Sequence, residues 1–305
     1  MSDRHSATYP IFASEEGRRR YREAYDRALA AWPILCESIT APTRFGPTHL
    51  VASGPMGAPA LLLLPSLAGT ATVWRANVEA LSARHRVYAV DVIGQPGRSL
   101  AERRLETRRD CASWLTDVLD HLAVTSASLV GCSFGGFLAL SQAAITPERV
   151  ERVVMISPAG TFVGLSLEFV LTMATGRWRR RLRKLLGDKR PPTLRAISAP
   201  PGPMHAADAA WRGLMGVTLA EAPKLNVINA SVLPRRELLR IRPPALLMIG
   251  ELERLFPPAA TLALARRRMP ALETLLVPGA DHIAAMAQPE FVNAAILDFL
   301  AGPPG

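Results

Sequence analysis

Apolar and polar positions along this chain follow two periods. Between Glu15 and Trp32 the spacing is helical, with Tyr21, Tyr25, Ala28, Leu29 and Trp32 on one face. Ser14 precedes the run as an N-cap, and Glu15 and Glu16 fall in the first turn, where negative charge suits the helix dipole. From about residue 47 short apolar runs predict strands at His49–Ala52, Ala60–Leu64, Arg86–Val92, Ala127–Cys132, Val153–Ile156, Ala245–Ile249 and Glu273–Val277. Helical patterns separate them at Trp74–Leu81, Thr107–Leu122 and Phe134–Thr146. The clearest carries Cys111, Trp114, Leu115, Val118, Leu119 and Leu122 on one stripe, and Phe291 to Leu300 repeats that pattern near the C-terminus. Continuous apolar strands alternating with helices predict an α/β fold, a mostly parallel sheet covered on both faces. Such sheets bind ligands at the carboxyl ends of their strands.

The alternation breaks between about Thr161 and Leu239, where prolines and helical pieces replace strands. The expected organisation is an N-terminal helical extension over 1–40, a core over 41–160 and 240–305, and a helical lid insertion over 161–239. Composition agrees with a globular chain: 305 residues, 49% of them apolar, are enough for a large core. The longest apolar runs are far too short to span a bilayer, and Met1-Ser-Asp-Arg-His-Ser lacks an apolar signal stretch, so a cytoplasmic protein is expected. Three cysteines, Cys36, Cys111 and Cys132, offer neither a disulfide framework nor a metal spacing.

The net charge of +10 changes the picture only locally. Between Arg177 and Arg195 stand nine basic residues and one acid, Asp188, so most of the excess sits in one stretch of the insertion. No interleaved aromatics of a nucleic-acid module accompany it, and no nucleic-acid partner is expected. Arg177–Leu186 reads as an exposed helix with Trp178, Leu182, Leu185 and Leu186 inward. Its arginines form either a solvated face or a surface recruiting anionic substrates or membranes; the first is favoured.

The sharpest chemical signal is Gly131-Cys132-Ser133-Phe134-Gly135-Gly136, which follows an apolar strand and opens a helix. A nucleophile on such a turn is strained, so its neighbours must be small. A serine there needs a base. Of six histidines, His5, His49, His85, His121 and His205 sit in a tail, a strand, a turn, a helix end and the insertion. His282 follows the last strand, on the sheet edge that carries Ser133. The orienting acid comes from Gly250-Glu251-Leu252-Glu253, where either glutamate could serve, in the order serine, acid, histidine. Cys132 reads as a small apolar residue at a strand end rather than a redox group.

These motifs resemble the α/β-hydrolase family, in particular its bacterial carboxylesterase-like members with an N-terminal helix. The likeness covers Trp74, the turn Asp91-Val-Ile-Gly-Gln-Pro-Gly-Arg-Ser99, the Ser133 elbow, the Gly250 loop and Gly279-Ala-Asp-His282. It implies the α/β-hydrolase fold, with catalytic Ser133, His282 and Glu253, the acid lying three residues after the glycine. The family's other acid position falls in Ser157-Pro-Ala-Gly-Thr161, which has no carboxylate. The family's His-Gly after the first core strand is replaced by Pro65-Ser66, and an oxyanion hole like the family's would use the N–H groups of Leu67 and Phe134.

The implied function is a serine hydrolase that cleaves a small-molecule carboxylic ester or other acyl substrate through an acyl-enzyme, with no metal or organic cofactor. Membrane contact is not expected, and the oligomeric state is open. Rival readings are a thioesterase, a lactone-forming acyl transferase, a carbon–carbon bond hydrolase or a haloperoxidase using the same three residues. A further rival is an inactive binding protein of this fold.

Overall fold

The computed structural model describes residues 11–164, 209–222 and 225–302. The basic run from Arg177 to Arg195, with its expected helix, lies outside them, as do His5 and His205. Helix α1, Glu15–Ala30, starts where the Ser14 hydroxyl accepts the Gly17 N–H at 3.0 Å. Strands β1 (Cys36–Ala41), β2 (Thr48–Ser53), β3 (Ala60–Leu64), β4 (Arg86–Val90), β5 (Ala127–Cys132), β6 (Val150–Ile156), β7 (Ala245–Gly250) and β8 (Glu273–Val277) form one sheet. Its order is β1-β2-β4-β3-β5-β6-β7-β8, antiparallel between β1 and β2 and between β2 and β4, and parallel from β4 onward.

Strand β1 was not expected. Its sequence, Cys-Glu-Ser-Ile-Thr-Ala, contains one large apolar residue, because it is an edge strand with little to bury. It places Cys36–Ala41 in the sheet, within the segment read as an extension. The remaining strands match the predicted runs, although β4 stops at Val90 and frees Asp91 for side-chain bonding.

Alternation along β3 shows how the sheet divides the core. Leu62 and Leu64 join one cluster with Trp114 of α3 (Arg108–His121) and Phe137 of α4 (Phe134–Ile145). Leu61 and Leu63 join the other with Val78 of α2 (Arg75–Ser82) and Ile296 of the C-terminal helix (Pro289–Ala301). All four leucines have zero exposure, which is why these strands read as unbroken apolar runs. Helix α3 is closed at its start by a reciprocal Thr107–Asp110 capping box.

Helix α1 packs on α5, Ala209–Glu221, the first described helix after β6. Tyr21, Ala24, Tyr25 and Ala28 bury against Leu214, and Arg20 pairs with Glu221. Through Tyr25, whose ring packs on His49 of β2, α1 also contacts the sheet. Among the described residues no helix is long and apolar enough to cross a membrane.

Strand order reverses at β3, whose neighbours are β4 and β5, so a crevice opens beyond the carboxyl ends of β3 and β5. Tyr21 is one of the two tyrosines of the α1–α5 cluster and is fully buried. Its replacement by alanine is expected to cost about 3–5 kcal/mol, the usual range for deleting a buried aromatic ring. Equilibrium urea unfolding measures this; a loss under about 1 kcal/mol would mean that α1 does not hold α5.

Candidate active site

Ser133 sits between β5 and α4 with φ 52° and ψ −113°, in the left-handed half of backbone space. Three glycines make that turn fit. A Cβ at Gly131 would lie 2.2 Å from the Gly135 carbonyl oxygen, and one at Gly135 only 2.0 Å from the Leu64 carbonyl oxygen. A Cβ at Gly136 would press on Pro158 at 2.9 Å. The Ser133 N–H donates to the Ile156 carbonyl at 2.8 Å, which fixes the elbow to β6.

His282 follows β8 and Glu253 follows β7, and the two loops press on each other at Gly250. A Cβ there would meet the Asp281 and Ala280 carbonyl oxygens at 2.3 and 2.4 Å. The Glu251 N–H donates to Val277 O, and the Leu252 N–H to Ala280 O. This contact separates the two glutamates. The exposed Glu251 carboxylate accepts the Gly279 N–H at 2.9 Å and staples the loops together. Glu253 turns inward and is buried: Oε1 accepts the N–H groups of Arg254 and Leu255, and Oε2 lies 2.7 Å from His282 Nδ1.

His282 Nε2 lies 2.9 Å from Ser133 Oγ, so Ser133, His282 and Glu253 form one connected row, each less than a tenth exposed. Burial pushes the Glu253 carboxyl upward, but the hydrogen bond and charge of His282, with the Leu255 N–H, outweigh it and hold the group below the ordinary carboxylate value. An ionised Glu253 accepts only, so Nδ1 carries the proton and Nε2 is left to accept from the serine hydroxyl.

Cys132, next to the nucleophile candidate, is buried, and burial pushes its thiol up to about 12, with the Glu253 charge adding to the effect. It is a packed apolar group. His49 lies buried in β2 and His85 beside α2, both away from this row. His121 ends α3.

At the N-terminal end of α4, the Phe134 N–H has no carbonyl four residues back in its helix. The loop after β3 carries Leu67, whose side chain is about half exposed. Its N–H makes no hydrogen bond among the described residues, whereas the next N–H, on Ala68, is taken by the side chain of Gln95. Gln95 carries no chemical signal in the sequence beyond its membership of the Asp91–Ser99 turn.

A cavity of about 870 Å³ opens over Ser133 and His282. Its walls include Val73, Trp74, Leu255 and Met286 from the core, and Trp211, Met215 and Leu219 from α5. Among the described lining residues none is a lysine, arginine, aspartate or glutamate. The site therefore sets Ser133 and His282 in a chamber whose described walls are mostly apolar, with Ser66, Asn229 and Ser231 as further neutral polar side chains.

A profile described as the alpha/beta hydrolase family matches residues 61–295. Carboxylesterase YbfK of Bacillus subtilis is 35% identical over 302 residues, covering 95% of this chain and 97% of that protein. A second B. subtilis protein, described as uncharacterized carboxylesterase nap, is 32% identical and covers 99% of this chain and 98% of its own length. The crystal structure of carboxylesterase CesB (YbfK) superposes with a TM-score of 0.81 at 33% identity, covering 94% of this chain and 99% of that one. That of naproxen esterase from the same organism gives 0.80 at 30% identity with the same coverage. With an eight-stranded sheet of this order and a serine elbow after β5, the chain belongs to the alpha/beta hydrolase family.

Proposed function

We propose that this protein is a carboxylic ester hydrolase that works through an acyl-enzyme on Ser133. The observation that carries the reading is the row Ser133–His282–Glu253, with spacings of 2.9 and 2.7 Å, at the floor of the apolar cavity. The carboxylesterase names of the full-length relatives support the ester bond as the target.

In this reading His282 Nε2 takes the hydroxyl proton as Ser133 Oγ attacks the ester carbonyl carbon. Glu253 holds the imidazole in the accepting tautomer and steadies the imidazolium that forms. The carbonyl oxygen becomes an oxyanion held by the N–H groups of Leu67 and Phe134. His282 then gives its proton to the leaving alcohol oxygen, and the C–O bond breaks. Water, deprotonated by His282, attacks the acyl-enzyme and returns Ser133. The described parts of the expected lid, α5 and the stretch from Leu225 to Val232, supply much of the cavity wall and cover the serine in this reading.

Lining chemistry sets the substrate class. An ionised carboxylate would lose its hydration in this chamber and gain no charged partner from the described residues lining it, a cost of several kcal/mol. Neutral esters with apolar chains are therefore the expected substrates. Across p-nitrophenyl esters of increasing acyl length, kcat/KM should rise about fourfold per methylene until the cavity fills, because each buried CH2 contributes about 0.8 kcal/mol. Hemisuccinate and other anionic esters should fall at least about tenfold below neutral esters of equal length. Absence of hydrolysis across the whole panel would overturn the esterase reading; equal rates for anionic and neutral esters would overturn the substrate class.

The two glutamates give a second test. Glu253→Gln should lower kcat by roughly 10⁴, the usual cost of losing the orienting carboxylate. Glu251→Gln removes the charge of an exposed loop staple but keeps an acceptor for the Gly279 N–H, and should change kcat by less than about tenfold. The reverse ranking in steady-state kinetics would assign the acid to Glu251.

A further inference from the structure

We infer that Gln95 is a positioning residue for the oxyanion hole: its side-chain carbonyl takes the Ala68 N–H and so leaves the neighbouring Leu67 N–H free for the oxyanion. The inference rests on the acyl-enzyme reading above and adds a residue that touches neither substrate nor the Ser133 row.

The loop from Pro65 to Ala71 carries two successive N–H groups of interest, those of Leu67 and Ala68. A loop with a free choice could turn either toward the crevice. Here Ala68 holds a left-handed φ of 60°, an uncommon state for alanine, and its N–H points at Gln95 Oε1. At the next residue the Gly69 N–H closes a turn on Ser66 O at 2.9 Å. Farther on, the Ala71 N–H donates to Asp91 Oδ1 at 2.8 Å. The loop is thus pinned by two side chains of one neighbouring loop, Asp91–Ser99, which follows β4. Strand order makes this possible, since β4 lies directly beside β3.

A pin must itself be held. Gln95 has zero exposure, and its N–H donates to Val92 O at 3.2 Å. Asp91 Oδ2 accepts the Arg98 N–H at 2.8 Å and lies 3.1 Å from His49 Nδ1. Ser99 Oγ donates to Asp91 O and accepts the His49 N–H. At Gly94, φ is 80° and a Cβ would strike Asn226 O at 2.3 Å, while the Asn226 N–H donates to Gly94 O at 2.8 Å. The supporting loop is therefore clamped between β2 and the wall of the cavity. Its rigidity passes to Leu67 through one amide oxygen.

The test pairs two variants with two readouts. Gln95→Met keeps the volume and removes the acceptor; Gln95→Asn keeps an amide but withdraws its oxygen from Ala68. Both should lower kcat by about 10- to 100-fold, less than the 10²–10³ for deleting an oxyanion donor outright, with KM changed less than about threefold. The Ki of an aryl trifluoromethyl ketone, whose serine adduct carries the oxyanion, should rise in the same proportion as kcat falls. Rates are taken per active site, counted by fluorophosphonate titration. A merely structural role would lower the titrated fraction and the unfolding midpoint while kcat per site and Ki stayed put. That result, in whichever variant folds, overturns the inference. If neither Gln95→Met nor Gln95→Asn folds, the wild-type protein decides: the trifluoromethyl ketone adduct should shift the Leu67 amide proton and leave the Ala68 amide proton in place, and an unmoved Leu67 proton overturns the inference. The underlying reading fails separately, when the wild-type protein neither hydrolyses esters nor reacts with fluorophosphonate.

Discussion

Ser133 holds φ 52° and ψ −113°, a backbone state that costs a non-glycine residue about 1–3 kcal/mol and persists only where the surroundings over-determine it. Everything at the strand ends is arranged around that turn. Glycine at 131, 135 and 136 removes side chains that would collide with the elbow, the end of β3 and Pro158. The same closeness brings the first turn of α4 against Leu64 and Pro65, so the free N–H of Phe134 opens beside the loop that carries Leu67. A strained serine between two parallel strands is a stability cost that the fully buried leucines of β3 and the apolar faces of α3 and α4 offset.

His282 and Glu253 reach the serine through a second close contact. Gly250 lets the β7 and β8 loops touch backbone to backbone, and three hydrogen bonds, including the one from Gly279 to Glu251, lock them. Glu253 is then carried inward with both oxygens occupied, and His282 can do little but face Ser133. Chemistry at this site follows from two glycine-permitted contacts, one on each side of β6. The apolar chamber above supplies the low-dielectric setting in which such hydrogen bonds count most.

Much of this was legible in the sequence, and the parts that were not share a cause. Fully buried parallel strands announce themselves as unbroken apolar runs, so β3, β5 and β7 were read at their true places. Edge strand β1 buries little and carries no such signal. Ser133 and His282 stood out because turn chemistry and strand ends mark them locally. Sequence alone left Glu251 and Glu253 open, and only the resemblance favoured Glu253; what separates them is burial, which depends on how β7 and β8 meet. Gln95 was invisible as a functional residue, since its bond to Ala68 joins loops that are adjacent only through the β4–β3 pairing. The basic run Arg177–Arg195, prominent in the sequence, lies outside the described residues, and the described residues lining the cavity carry no charged side chain besides what His282 can hold.

The central claim, that Ser133 is the nucleophile, is tested most directly by mapping where an acyl-enzyme mimic attaches. The protein is treated with a fluorophosphonate, digested, and its peptides weighed. The account predicts one adduct, on the peptide containing Ser133, absent from a Ser133→Ala variant whose unfolding midpoint matches the wild type. An adduct on another residue, or none on a protein that hydrolyses esters, would contradict it.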